Sequence, residues 1–215
     1  MSLRVIFKKL QRNLNDYGLR AAFGKGFSYL FKRVYQKRTY RIYRRDLRGV
    51  HFPEPVLNGI VLRLVDYSDA QVIRQIENME EWLHGFLPAI MSKGICVGAF
   101  DGPRVIGFNL VALEEAFVSL LNFKKRLLPH EAWSEQITVL KEYRKQGLAS
   151  ALRYRAFAEL QKRGVRQIYS GSLISNIPSQ KAAEKVGFRF IADVHYLRVL
   201  NRERRIWRRS RHDGY

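Results

Sequence analysis

From Ile60 onward the chain alternates strand-length and helix-length apolar patterns, and this alternation restricts its fold more than any other feature. "IVLRLV" (60–65) alternates and is rich in branched side chains, which predicts a strand. "YSDAQVIRQIENM" follows, with Val72, Ile73 and Ile76 at helical spacing and Ser68 as the expected N-cap. "GICVGAF" and "RVIGFNLVA" flank "DGP", an Asp-Gly turn that signals a hairpin. "WSEQITVL" (133–140) is a further strand. Leu148, Leu152, Ala156 and Leu160 mark a helix that ends at Gly164, with Lys162 and Arg163 in the last turn where the helix dipole favours cations. "RQIYSGSL" predicts a strand, "PSQKAAEKV" a short helix opened by proline, and "FRFIADVHYLRVL" a long alternating strand. "NRER" is expected to turn that strand into a last one, "RIWRRS". Residues 113–132 show no clear period and are expected as a loop or a short helix over the sheet. The class is α/β (α+β).

A chain of 215 residues, 47% hydrophobic, can bury a core as one domain with an appendage. Pro53 and Pro55 interrupt any helix near "HFPEPVLNG". The charge balance changes there too. Residues 1–50 carry 14 Lys and Arg against 2 Asp and Glu; residues 51–197 carry 18 against 15; residues 198–215 carry 7 against 2. The expected organisation is a basic arm (1–50), a globular domain (51–200) and a basic tail (201–215) that completes the last strand. The single cysteine, Cys96, excludes an internal disulfide and suits a reducing compartment. No apolar run approaches the ~18 residues of a membrane span. The opening "MSLRVIFKKLQRN" has too short an apolar run for a secretory signal. A cytoplasmic location is the expectation. Five histidines and one cysteine show no metal-ligand spacing, so no metal is expected.

The formal charge of +20 concerns partners rather than fold. At 100° per residue, Leu3, Ile6, Phe7, Leu10, Leu14 and Tyr17 fall within an arc of about 100°, opposite Lys8 and Arg12. After Gly24 and Gly26, Phe27, Leu30, Phe31 and Val34 form a second stripe beside Lys32, Arg33, Lys37 and Arg38. Two basic amphipathic helices of this kind suit an in-plane anchor at the anionic inner face of a membrane. Docking of both stripes on the domain, or a homodimer interface, is the competing expectation. Nucleic acid is a weaker one, resting on the aromatic-basic run "FSYLFKRVYQKRTYRIYRR".

"KEYRKQGLASAL" (141–152) carries the chemistry. A helix that starts directly after a strand presents unpaired N–H groups and the positive end of its dipole to an anion. Gly147 lets the backbone approach a phosphate, and Arg144 and Lys145 add charge at the same place. Alone, this is also what a solvated basic turn looks like. Downstream lies "SNIPSQKAAEKVGF", with Asn176 eleven residues before Gly187. Together the two stretches resemble the GCN5-related N-acetyltransferase (GNAT) superfamily of acyl-CoA-dependent transferases, over roughly residues 58–200. "RKQGLA" is similar to its acyl-CoA pyrophosphate loop, and "SNIPSQKAAEKVGF" to its later asparagine-containing helix.

The resemblance implies a mixed, largely antiparallel twisted sheet with flanking helices. It implies a strand "SEQITVL" that splays from its neighbour so that the pantetheine arm of acetyl-CoA, or of another acyl-CoA, lies in the wedge. The backbone of Ile137, Thr138 and Val139 would bond that arm, with the Val139 N–H aimed at the thioester oxygen. The backbone of Arg144, Lys145, Gln146, Gly147, Leu148 and Ala149 would hold the pyrophosphate, and Asn176 would bond the cofactor arm. The family also implies a carboxylate that takes the proton of the acceptor amine; Glu135 is the one on that strand, with Glu80 and Glu81 as alternatives. Trp82 and His84 lie in the region that shapes the acceptor site. One departure stands out. Where many members carry a tyrosine that protonates the departing thiolate, this chain has Ala183. Tyr169 and Tyr196 are the substitutes on neighbouring strands. The function implied is N-acyl transfer, most simply of acetyl, to an amino sugar, a small amine or a protein amine. The alternative is a membrane- or nucleic-acid-associated protein that binds acyl-CoA without turnover.

Overall fold

The structure is a computed structural model that describes residues 35–53, 57, 59–200 and 202–209. Its elements are β1 (Tyr35–Asp46), β2 (Ile60–Leu64), α1 (Ala70–Met79), α2 (Leu87–Met91), β3 (Gly94–Asp101), β4 (Arg104–Ala112), β5 (Glu115–Val118), β6 (Phe123–Arg126), β7 (Glu131–Val139), α3 (Leu148–Lys162), β8 (Gln167–Leu173), α4 (Ile177–Lys185), β9 (Arg189–Val199) and β10 (Arg202–Arg209). The described residues fall into two compact units. The larger holds 40–193 and 208–209, the smaller 35–39 and 194–207.

In the larger unit the strand order is β9-β1-β8-β7-β4-β3-β2. The β2–β3, β3–β4, β4–β7 and β1–β8 pairs are antiparallel, whereas β7–β8 is parallel. This is the mixed, largely antiparallel sheet with flanking helices expected. The apolar runs of β3 and β4 have no polar face because both faces of these strands are covered. Ile95, Val97, Ala99, Ile106 and Val111 pack with Leu148, Leu152, Ala156, Phe157 and Leu160 of α3. Cys96, Phe108 and Leu110 pack with Val72, Ile73 and Ile76 of α1 and with Leu83 and Leu87. Bidentate bonds from Arg41 to Asp193, at 2.9 and 3.0 Å, tie β1 to β9. In the smaller unit, Leu200 adopts a positive φ of 55° between β9 and β10. Thr39 Oγ1 lies 3.0 Å from His195 Nδ1. Among the described residues no helix is long and apolar enough to cross a membrane.

Four local expectations need correction. Asp69, not Ser68, caps α1: its carboxylate accepts the Val72 N–H at 3.0 Å, while the Ser68 hydroxyl donates to Asp66. Residues 113–132 hold a separate two-stranded sheet, β5–β6, with a short 3-10 turn between its strands. "NRER" is not all turn, since β10 already begins at Arg202. The arm is not helical to residue 50. Tyr35–Asp46 is a strand whose Tyr40, Ile42 and Tyr43 are buried. Alternating β-branched and aromatic residues suit a pleat, and pairing with β8 along Tyr40–Asp46 overrides the helical stripe that ended at Arg38. Both expected amphipathic segments up to Val34 lie outside the described residues.

Removing residues 1–50 would therefore take β1 out of the core. A truncation that ends at residue 34 tests the expected attraction to membranes without removing β1. In sedimentation with liposomes, the full chain is expected to pellet with anionic vesicles only, and less as salt rises. The chain lacking residues 1–34 is expected to stay in the supernatant.

Candidate active site

The parallel pair β7–β8 is joined over only three positions, Glu131↔Gln167, Ala132↔Ile168 and Trp133↔Tyr169. Beyond Trp133 the two strands part while each keeps its outer partner. β7 stays on β4 up to Gly107↔Val139, and β8 stays on β1 up to Tyr40↔Leu173. The result is a wedge. A cavity of about 310 Å³ occupies it, lined among others by Tyr40, Glu135, Ile137, Arg153, Ser172 and Asn176.

The pairing alternation decides which backbone groups face the wedge. The Leu140 N–H donates to the Ile106 carbonyl at 2.9 Å. In an antiparallel ladder, bonded and non-bonded positions then alternate. Thr138 and Gln136 bond across to β4, and the main-chain groups of Ile137 and Val139 point to the side that β8 has left. Ile137 and Val139 therefore present main-chain groups to the wedge. The Thr138 backbone does not, because β4 uses it; its hydroxyl instead donates to Glu80 Oε1 at 2.6 Å, beside Gln136 Nε2 at 3.0 Å. Glu80 is thus tied to β7. Glu81 and His84 are exposed, and Trp82 lines the cavity mouth.

Glu135 occupies a β-bulge. Leu110 faces Gln136 and Val111 faces Ser134, so Glu135 has no residue opposite it. A bulge frees a strand residue from the ladder and re-aims its side chain. The Glu135 carboxylate accepts the Phe117 N–H of β5 at 3.0 Å. Burial pushes its carboxyl up to about 7, against the opposing pull of that bond. Tyr40 lies beside it. Burial first, and then the Glu135 charge, raise the Tyr40 phenol above its ordinary value. Its ring packs over Gly171, where a Cβ would collide with it.

At the end of β7 the chain turns through Lys141–Tyr143 into the cationic loop. The Tyr143 hydroxyl donates to Asp101 at 2.6 Å, and Arg104 pairs with Glu142 at 2.8 Å, which pins the loop to the β3–β4 turn. The Arg144 Nε–H bonds the Val139 carbonyl at 2.9 Å, leaving the Val139 N–H as the group free to face the wedge. Lys145 and Gly147 both have positive φ, 65° and 82°, and a Cβ on Gly147 would meet open space. The first bonds inside α3 run from Ser150 and Ala151 to the Gly147 carbonyl. The N–H groups of Leu148 and Ala149 therefore point outward with no intrahelical acceptor, beside the exposed side chains of Arg144, Lys145 and Gln146. Asn176 both lines the cavity and caps α4, accepting the Ser179 N–H at 3.2 Å.

Tyr169 is not brought to this site. Its hydroxyl donates to Glu131 and Gln167, each at 3.0 Å, and the phenol is pushed up to about 12 by burial and then by Glu131. Its side chain is absent from the cavity lining because it alternates with Ser170, which is present. Tyr196 belongs to the smaller unit, where Glu203 and Arg205 flank it. Ala183 is buried in the core. The Cys96 thiol is buried and pushed up to about 12, which disqualifies it as a nucleophile. Sequence reasoning missed Tyr40, Arg153 and Phe117. A glycine inside the strand pattern at Gly171 was the available signal for a close approach.

The family model of the Acetyltransferase (GNAT) family matches residues 62–188, well over half of the chain. The chain belongs to that family. A search of curated proteins finds no match. Among solved structures, a GCN5-related N-acetyltransferase from Sphaerobacter thermophilus superposes with a TM-score of 0.55 at 16% identity, over 84% of this chain and 56% of that one. A GNAT-family protein from Novosphingobium aromaticivorans gives 0.52 at 19%, over 75% and 65%. A GNAT-family acetyltransferase from Colwellia psychrerythraea gives 0.55 at 12%, over 77% and 57%. At these identities the likeness shows the fold. The chain spans less than two thirds of each of these relatives.

The raised Glu135 carboxyl has a consequence for stability. Between its ordinary value and about 7, the folded protein holds a proton that the unfolded chain has released. Stability contributed by this group is therefore lost as pH rises through that window. Glu135→Gln removes the cost of ionisation. Thermal denaturation is expected to show the variant gaining on wild type at pH 8 relative to pH 4.5.

Proposed function

We propose that the protein is an acyl-CoA-dependent N-acyltransferase that moves an acyl group, acetyl in the simplest case, from the thioester to an amine. The observation that carries this is Glu135: a bulged carboxylate, raised to about 7, in a wedge whose other end leads to a cationic helix N-terminus. The residues fit the cofactor. Gly147 and the outward N–H groups of Leu148 and Ala149, with Arg144, Lys145 and Gln146, suit a pyrophosphate. Ile137 and Val139 offer unpaired main-chain groups, and Asn176 a side-chain amide, to the pantetheine amides. When bound, the thioester supplies an activated acyl carbon.

An alkyl amine has a pKa near ~10.4 and arrives protonated, so a base is needed at neutral pH. Glu135 would take that proton before the nitrogen attacks; the C–N bond then forms and the C–S bond breaks, and the second N–H proton replaces the one that Tyr40 gives to the sulfur. The Val139 N–H holds the carbonyl oxygen as its charge grows, a contribution of ~3 kcal/mol for a fixed donor. Tyr40 supplies the proton to the departing sulfur. It lines the wedge and holds its proton through neutral pH. It takes the part that Ala183 cannot. The acceptor is an amino sugar, a small amine or a protein amine. Attraction of the basic arm to an anionic membrane places the enzyme at its inner face.

Replacing Gly147 with Asp puts a negative charge where the diphosphate is held. Calorimetry with acetyl-CoA is expected to show binding lost, with the melting temperature lowered by only a few degrees. Gly164→Ala, at a φ of 78° with equally open space, shares the backbone cost of about 1–2 kcal/mol and is expected to keep affinity. Equal affinity in both variants rules out the loop as the cradle.

Turnover separates the proton carriers. Glu135→Gln is expected to lower turnover ~100-fold near neutral pH, and less where the amine is already neutral. Tyr40→Phe is expected to lower it by a similar ~100-fold, and Tyr169→Phe by no more than about twofold. All three are expected to leave acetyl-CoA affinity unchanged.

A further inference from the structure

Arg153 is the least expected residue of the wedge. It sits in the second turn of α3 and is 3% exposed. One of its groups, Nη1, donates to the Ala182 carbonyl at 2.6 Å, and the guanidinium lies 5.8 Å from the centre of the Phe188 ring. Its Nε–H has no partner, and among the described residues no carboxylate pairs with it. Ser172, 8% exposed, lines the same cavity, and its hydroxyl is likewise unpartnered.

A buried charge without a counterion costs several kcal/mol, and a buried donor without an acceptor adds to that. Burial lowers the Arg153 guanidinium to about 10, which leaves it charged at neutral pH. A neutral leucine would fill the same interior at no such cost. A cavity that tolerates the cation is one that receives an anion. Arg153 and Ser172 both line the cavity, on the side of the wedge formed by α3 and β8, and the Arg153 Nε and Ser172 Oγ atoms are buried without partners. Glu135 and the Phe117 N–H lie on the β7 side.

We propose that Arg153 and Ser172 form a subsite for a carboxylate at the far end of the transferred acyl group, so that the protein prefers thioesters of dicarboxylic acids, of the malonyl or succinyl class, over neutral acyl thioesters. This rests on the acyl-CoA reading above. The donor is favoured over the acceptor as the source of the carboxylate because Arg153 is on α3. The same helix opens at Gly147 with the anion cradle, six residues or ~9 Å along the axis. The carboxylate meets two donors there and an ammonium or amine meets Glu135, so the cavity sorts its ligands by charge.

Calorimetry on the full chain with CoA, butyryl-CoA and succinyl-CoA tests this without turnover. Butyryl and succinyl have four carbons each and differ in the terminal carboxylate. Wild type is expected to bind succinyl-CoA at least ~10-fold more tightly than butyryl-CoA, the low end for a hydrogen bond to a charged group. Arg153→Met is expected to erase that difference and keep the affinity for CoA. Ser172→Ala is expected to reduce the difference by about threefold, and guards against misfolding of the first variant. Equal wild-type affinities for the two thioesters overturn the proposal and leave the acyl-CoA reading standing. A loss of affinity for all three ligands alike in Arg153→Met also overturns it, since Arg153 then holds the shared CoA portion. Binding of glutamate to the CoA complex that depends on Arg153, with no preference for succinyl-CoA, assigns the carboxylate to the acceptor and overturns the donor assignment. Failure of CoA and both thioesters to bind refutes the acyl-CoA reading itself.

Discussion

The parting of β7 from β8 is the constraint on which the rest of the structure depends. Two parallel strands that pair for three positions and then separate leave main-chain donors and acceptors inside the fold without partners. The separation is held open because each strand is committed elsewhere. β7 pairs with β4 up to Val139, and β8 pairs with β1 up to Leu173. Neither can relax toward the other without breaking an antiparallel ladder. The opening follows from the strand order and from the commitment of each strand to its outer partner. β1 is therefore part of the site's architecture although it lies in the stretch of the sequence that looks like an appendage. Arg41 fastens it to Asp193, and Tyr40 projects from it over Gly171 into the wedge.

The wedge then sets the chemistry through burial. One low-dielectric space pushes three groups away from their ordinary titration in the direction that disfavours charge: the Glu135 carboxyl up to about 7, the Tyr40 phenol up, the Arg153 guanidinium down to about 10. At neutral pH this leaves a carboxyl near the middle of its titration, a phenol that keeps its proton, and a guanidinium that keeps its charge. Environments that push titratable groups apart are a mark of functional sites. The bulge matters to this arrangement as much as burial. Without the extra residue between Leu110 and Val111, Glu135 would stay in register with a β4 residue.

Where the sequence was legible, the reason is local. The Asp-Gly turn between β3 and β4, the helical spacing of α3 and its stop at Gly164, and the proline-opened α4 follow from short-range periodicity and turn chemistry. The cationic loop before α3 was legible for the same reason, since a helix N-terminus, a glycine at positive φ and adjacent cations lie within six residues. Glu135 was singled out because it is the one carboxylate of "WSEQITVL"; β7 starts earlier and also holds Glu131, whose carboxylate accepts from Lys125 and Tyr169. The misses share a different cause. β1 shows a basic, aromatic composition that also fits a helix, and only its pairing with β8 decides for a strand. Residues 113–132 have too few apolar positions for a period, and the β5–β6 sheet they form is placed by the Phe117 contact with Glu135.

The sequence by itself determined the class of fold, the family and the place of the cationic loop before α3, because each of these is written in residues close together along the chain. It also determined that Ala183 cannot donate a proton. Only the tertiary structure decided what stands in the wedge. Tyr40 and Glu135 are 95 residues apart in the chain, and Arg153 and Ser172 sit on a helix and a strand with no shared pattern. Their meeting depends on β7 and β8 parting and on a one-residue bulge, and neither leaves a periodic trace. The face on which a bulged or diverging strand presents a side chain is set by the strands beside it, so it becomes known only when those neighbours are in place.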